Sequence, residues 1–441
     1  MTNPPIPYQP PRTLLAANRE LRFDQPLAYD DPRYVDTAKA RGNFNHTKII
    51  RALMGGNPNG GNYFLYSGPI GCGKSTELRR LAVELHEPGQ FYVVMLDTLE
   101  RLDTHNLGYP DVLLALAAEL LARIEGEGVV IDPMFLRNLT GWFSERIEKN
   151  ERTRELAAEI KSGAEVQASI PFLCKLFASL TSSFKVNSTY KEELRTVVKN
   201  SYRDFSQAFN DLLVAARGAL GRRGLGDRLL FLVDGTDRLS REDSKAFFID
   251  NIHQLQQIQA DFIYCAPIAL VFNHRTFLLN IYTDLFHLPM IKLSEKSDLD
   301  EARPDPEGYA AMREMVLKRV AQELFDDLAT LDYFIRYSGG NPRHLLRLLN
   351  YAYTEAESEF FDRAAAERAV KRYATDYRYQ LAAEDFALLR RVDALEDVSQ
   401  LSEDDRERVG KLLYYGALLE YNSYWWRSHP VVRTLPAYVA P

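Results

Sequence analysis

The sequence predicts an α/β fold: a parallel-sheet core carrying a long helical insertion, then a helical lid and a small winged-helix-like domain. Three observations predict it. A glycine-rich loop, Gly68-Pro69-Ile70-Gly71-Cys72-Gly73-Lys74-Ser75-Thr76, stands between an apolar stretch, Tyr63–Tyr66, and an amphipathic one carrying Leu78, Leu81, Ala82 and Leu85. Two further apolar runs, Phe91–Leu96 and Leu229–Val233, read as buried parallel strands, and each is followed by an aspartate. Most of the remainder is helical in period, and the chain closes with a two-stranded ribbon.

Taken in order, residues 1–50 form a proline-rich arm. Its start cannot form regular structure, and it reads either as a strap or as a segment covering a base. The core spans residues 51–300, with the helical insertion at about 103–226. That insertion is far longer than a strand-to-strand crossover needs. One of its apolar faces carries Phe172, Leu173, Leu176, Phe177, Leu180 and Phe184; the other carries Leu194, Val197, Val198, Phe205, Phe209, Leu212 and Leu213. The faces are expected to pack on each other, a docking surface being the alternative. After Asp234 the pattern gives a helix over Arg241–Gln259, a strand at Ile268–Phe272 and a short strand at Met290–Leu293. The lid, 301–378, is read as helices over Tyr309–Phe325, Asp327–Tyr337, Arg343–Ala356 and Ala364–Tyr377. The last unit, 379–441, is read as two helices, near Glu384–Val392 and Asp404–Leu419, and a ribbon turning at Asn422-Ser423 with Tyr424, Trp425 and Trp426.

The loop has the spacing G-x-x-x-x-G-K-S between strand and helix, which is the pattern of a phosphate-binding loop. Its glycines let backbone N–H groups converge on a phosphate chain at a helix N-terminus. Lys74 is placed to reach the outer phosphates and the Ser75 hydroxyl to hold Mg²⁺. Asp234, at the end of a buried strand, is the metal-side partner of Ser75. No Asn-Lys-x-Asp guanine reader is present in the sequence, so ATP with Mg²⁺ is the expected ligand.

With Ser338-Gly339-Gly340-Asn341-Pro342-Arg343 added, the chain resembles the AAA-related P-loop ATPases. Within them it is most similar to the STAND/NACHT signalling ATPases and the origin-recognition-type ATPases with a C-terminal winged helix. The resemblance covers residues 45–300 as ATPase core and 305–441 as lid plus winged helix. It implies sensors of the γ-phosphate at Asn273 and Arg275, the latter in cis or across a subunit boundary, and a lid contact with phosphate from Arg343. It also implies self-assembly or a separate effector protein, in a setting of bacterial antiviral defence. The sequence departs from it twice. Gly235 stands where AAA motors keep a glutamate, leaving Asp237 as the acid that could orient water, and Arg238 stands where another acid often follows. The expectation is therefore an ATP-driven switch with slow hydrolysis. A DNA-handling ATPase and a nucleotide-stabilised scaffold are the alternatives.

Composition bounds the partners. Acidic residues outnumber basic ones, 61 to 54, for a formal charge of −7, so a general nucleic-acid coat is not indicated. From Glu384 onward ten acids face seven bases, a poor footprint for phosphate contacts, although Trp425-Trp426-Arg427 has the composition of a base-stacking platform. Cys72, Cys174 and Cys265 are odd in number and far apart, which suits a reducing cytoplasm and no zinc site. The first residues lack the charged and apolar regions of a secretion signal, and no apolar run approaches the ~20 residues of a membrane helix. The expectation is a cytoplasmic protein without membrane contact.

Overall fold

A computed structural model describes residues 8–439 apart from residues 45, 87–88, 133, 136, 138, 140, 143–172, 175, 178–187, 299–302, 396–399 and 423–424. At its centre lies a parallel sheet of five strands: β1 (Tyr63–Ser67), β2 (Phe91–Asp97), β3 (Arg228–Asp234), β4 (Asp261–Ala266) and β5 (Asp284–His287). Their spatial order is β2-β3-β4-β1-β5, so the strand ending in Asp234 is separated from the loop strand by β4. β2 and β3 pair in register from Phe91↔Arg228 to Asp97↔Asp234, which sets their two terminal carboxylates side by side.

Both faces of the sheet are covered, which explains strands that read as continuous apolar runs. Side chains still alternate. Phe64, Tyr66, Val93, Leu230, Leu232 and Ile263 pack under the loop helix, Lys74–His86, through Leu78, Leu81 and Leu85. Leu65, Tyr92, Val94, Phe231, Phe262 and Tyr264 face the helices Tyr109–Gly126 and Tyr202–Arg222 of the insertion. The insertion thus forms one core with the sheet. Leu173, Leu176 and Phe177 of its first face are buried there, as are Leu194, Val198, Phe205, Phe209, Leu212 and Leu213 of the second. Phe172, Leu180 and Phe184 lie outside the described residues.

Two strand expectations are corrected. Residues Ile268–Phe272 begin a helix, Ile268–Ile281, capped by Pro267. The strand lies just before it, at Asp261–Ala266, between the expected helix end at Gln259 and the expected strand. A five-residue apolar run fits either element, and the proline beside it was the discriminating signal. The sheet's last strand is Asp284–His287, and Met290–Leu293 is not a strand. Its amides go elsewhere. Leu288 N–H donates to Ser67 O (2.8 Å), Met290 N–H to Glu420 O (3.0 Å), Ile291 N–H to Gly340 O (3.3 Å) and Lys292 N–H to Ala40 O (3.0 Å). One extended segment joins sheet, ribbon, lid and arm.

The lid helices are Pro306–Leu317, Leu328–Ser338, Pro342–Glu355 and Arg363–Gln380. Each starts on a side-chain cap, from Asp305, Asp327, Asn341 and Asp362 in turn. Their core includes Leu14, Ala17, Leu21 and Val35 of the arm. After the lid come helices Ala383–Ala394 and Glu403–Tyr415 and the antiparallel ribbon β6 (Leu418–Tyr421) and β7 (Trp425–Ser428). The second of these helices ends four residues before the expected Leu419, because Gly416 takes a left-handed cap. Part of the expected turn, Ser423 and Tyr424, lies outside the described residues. Trp425 is buried and stacked on Tyr421 at 4.4 Å between ring centroids, and Trp426 meets Phe272 edge-on at 5.9 Å. Arg427 is buried and donates to Ser294 Oγ, Lys296 O and Asp298 O. This trio packs inward and offers no stacking platform. Among the described residues no helix is long and apolar enough to cross a membrane.

Candidate functional site

The loop connects β1 to its helix with glycines in conformations other residues resist. Gly71 has φ +83°, and a Cβ there would meet Arg343 Cβ at 2.6 Å and Asn341 Oδ1 at 2.8 Å. The lid therefore rests directly on the loop. Asn341 Nδ2 donates to Ile70 O (2.9 Å) and the Arg343 amide to Gly71 O (3.4 Å).

Lys74 is buried. Its Nζ donates to Gly68 O (2.8 Å) and Pro69 O (3.0 Å) and pairs with Asp237 Oδ2 at 2.9 Å. Burial opposes its charge, but Asp237 together with Cys72 and Cys265 leaves its pKa raised. Burial likewise opposes ionisation of Asp237, yet Lys74 and Arg238 hold its carboxyl below the usual range. Asp234 goes the other way. Burial and the charge of Asp237 push its carboxyl up, against hydrogen bonds from Ser75 and from the Cys265 thiol, 3.3 Å away. Two neighbouring acids are thus driven apart, one held ionised and one pressed toward its protonated form.

Gly235 explains the missing glutamate. It sits at φ +84°, and a Cβ would lie 2.5 Å from Thr98 Oγ1 and 3.0 Å from Leu99 Cγ. A longer side chain does not fit between β3 and the turn after β2. The chain then makes a tight helical turn, Thr236–Arg238, which carries Asp237 onto Lys74.

The residues present fit Mg²⁺. Ser75 and Asp234 bring a hydroxyl and a carboxylate together, the hard oxygen donors this ion takes alongside phosphates and waters. Among the described residues no three His, Cys, Asp or Glu gather as an all-protein metal cage.

A cavity of about 270 Å³ opens over the loop. The core lines it with Gly71–Glu77, Asp234, Asp237 and Arg238; the arm and lid add apolar side chains (Pro26, Leu27, Tyr34, Val35, Met315, Leu346) and charged ones, Arg33, Arg319 and Arg343 among them. The arm is tied to the loop. Leu27 N–H donates to Thr76 Oγ1 (3.2 Å), and Arg41 donates to Cys72 O (2.6 Å) and to Pro289 O. Tyr34 lies 3.7 Å under the Arg80 guanidinium, on the loop helix.

Asn273 and Arg275 are not brought to this cavity. They lie in the helix Ile268–Ile281, where Asn273 abuts Gly410, and Arg275 acts on Glu420 and His287 at the ribbon. β4 ends instead in Ala266-Pro267, with no polar side chain. Lys74, Ser75, Asp234, Asp237 and Arg343 are gathered as the sequence led one to expect. Arg41 and the strap residues were not singled out from sequence, since their role depends on where a non-periodic arm is laid.

No protein-family model matches the sequence, and no curated protein matches it. Among solved structures the chain is similar to the Aeropyrum pernix Orc1 protein in complex with DNA, at 14% identity and TM-score 0.38, over 92% of this chain and 83% of that one. It is also similar to the Walker-type ATPase PABY2304 of Pyrococcus abyssi (13%, TM-score 0.37, 93% and 98%). A third likeness is to a RuvB variant of Thermotoga maritima (13%, TM-score 0.35, 95% and 100%). All three likenesses are distant.

Proposed function

We propose that the chain is an Mg²⁺- and ATP-binding switch that hydrolyses ATP slowly and works with further copies of itself or an effector partner. The observation that carries this is the buried Lys74–Asp237 pair at the mouth of the glycine loop, beside Ser75 on Asp234 and under Arg343. The loop amides would cradle the phosphates while Lys74 exchanges its carbonyl and carboxylate partners for phosphate oxygens. Ser75 and Asp234 would hold Mg²⁺, which neutralises charge on the phosphates when bound. Asp237, released from Lys74, would be free to orient a water. The apolar side chains that the arm and lid bring to the cavity, Leu27, Val35, Met315 and Leu346, suit a base. Arg343 ties phosphate occupancy to the lid, so binding favours one arrangement of lid and core.

We also propose the division into arm 1–50, core 51–300, lid 301–378 and winged-helix-like module 379–441. The cytoplasmic setting is proposed from the three scattered cysteines, and a role in defence signalling is carried over from the resemblance. The inward packing of Trp425 and Arg427 speaks against base stacking at the ribbon.

The test measures nucleotide binding, hydrolysis and assembly together, with and without duplex DNA. Lys74→Ala is expected to lower ATP affinity by about 100-fold or more, and Asp234→Asn to abolish the Mg²⁺ dependence. Unchanged binding in Lys74→Ala sinks the reading. Strong stimulation by DNA would turn it toward a DNA-handling ATPase.

A further inference from the structure

We propose that Arg238 contacts the terminal phosphate of the bound nucleotide from within the same chain, making it the residue that tells a triphosphate from a diphosphate. The proposal rests on the nucleotide-binding reading above and adds a role for a residue that departs from the resembled pattern, where an acid often stands.

The first argument is position. The turn bearing Arg238 is held by two bonds to neighbouring segments and one of its own. Thr236 Oγ1 donates to Cys265 O on β4 (2.6 Å), Thr98 Oγ1 to Asp234 O (2.8 Å) and the Arg238 amide to Gly235 O (3.1 Å). Residue 238 therefore follows Asp237 along a fixed path, one position beyond the carboxylate that holds Lys74. Lys74, Asp237 and Arg238 line one cavity, so a phosphate chain held by Lys74 lies in the space that Arg238 borders.

The second argument is the use of donors. Seven cations line the cavity. Arg22 pairs with Asp24, Arg33 with Asp31 and Glu20, and Lys74 with Asp237. Arg41 donates to Thr37 Oγ1 and Cys72 O, and Arg319 to the carbonyls of Arg33 and Met315. Arg238 and Arg343 donate from their guanidinium groups to no acceptor among the described residues, and neither has a carboxylate within ion-pair distance there.

The third is their mutual effect. Burial lowers the Arg343 pKa to about 10, and the charges of Arg238 and Arg347 add to this against the pull of Asp237. Two arginines with unspent donors, one from the core and one from the lid, repel across a single cavity. A multiply charged anion between them relieves that repulsion, and guanidinium geometry suits a phosphoryl group. A diphosphate, one phosphate shorter, leaves Arg238 without its partner.

The experiment measures binding of ADP and of a non-hydrolysable ATP analogue to wild type, Arg238→Ala and Arg238→Lys by fluorescence competition. Loss of triphosphate affinity by about tenfold or more, with ADP affinity held within about twofold and partial recovery in Arg238→Lys, is the expected result. An unchanged triphosphate-to-diphosphate ratio in both variants overturns the assignment while leaving nucleotide binding intact. Wild type that binds neither nucleotide removes both. Mixing Arg238→Ala subunits with Lys74→Ala subunits separates cis from trans, since the latter carry Arg238 but cannot hold nucleotide. No recovery of triphosphate affinity is expected, and recovery would overturn a contact made within one chain.

Discussion

At the scale of single residues, the site depends on how Asp237 and Asp234 divide their charge. Asp237 holds Lys74 at 2.9 Å in a buried setting, so removing its charge leaves an ammonium with only two carbonyls. Breaking one partner of a buried pair costs about 3–5 kcal/mol. Asp237→Asn should therefore lower stability by that order without nucleotide. Mg-ATP should restore more stability to the variant than to wild type, because phosphate oxygens replace the lost charge. Thermal melts with and without Mg-ATP check this, and equal ligand shifts in the two proteins would refute it. Residues of this kind were legible in the sequence because the loop and the strand-end acids carry chemistry at fixed spacing. Asn273 and Arg275 were misplaced because their roles hung on the element assigned to Ile268–Phe272. Once that run is a helix, both side chains belong to another interface.

At the scale of elements, caps and glycines were the reliable punctuation. Asp327, Asn341 and Asp362 start helices within a residue or so of the expected positions, and Gly339 closes one in a left-handed cap, whereas the helix expected over Tyr309–Phe325 runs Pro306–Leu317 from its cap Asp305. What spacing could not show is the path of Met290–Leu293, whose amides pair with distant segments and leave no periodic trace. The backbone at Gly340 tests this path. It has φ +75°, and a Cβ there would lie 1.9 Å from Ile291 O. Gly340→Ala should cost about 3 kcal/mol or more, through backbone strain and displacement of the carbonyl. Gly55→Ala, with nothing within 4 Å of the added methyl, is the matched control and should stay within about 1 kcal/mol. Equal midpoints for the two variants in denaturant titrations would contradict the packing described.

At the scale of the whole molecule, the C-terminal ribbon is part of the core. Leu419, Tyr421 and Trp425 join the cluster beneath the loop helix. Glu420 points the other way, into a buried setting with Arg275 and a His287 that burial keeps neutral. Burial pushes its carboxyl up from 4.5 to about 7, against the pull of Arg275. An acid with a raised folded pKa holds its proton longer in the folded chain. Stability therefore falls as pH climbs from about 4.5 to about 7, by at most about 1.4 kcal/mol per pH unit, and is level above. Glu420→Gln should flatten that slope and be the more stable protein at pH 8, as urea titrations at several pH values would reveal. A slope unchanged by the substitution would place the titrating group elsewhere. The sequence showed this unit as two helices and a ribbon but not its docking, because Trp425 and Arg427 read alike whether a surface binds a partner or the chain's own core.

Residues 290–292 also act as a set of clocks. Their three consecutive amides are closed by Glu420, Gly340 and Ala40, that is, by ribbon, lid and arm. Each amide can exchange its hydrogen for deuterium only when its own partner lets go. Three adjacent positions in one short peptide thus time three separate detachments, and the order in which they exchange is the order in which the molecule opens.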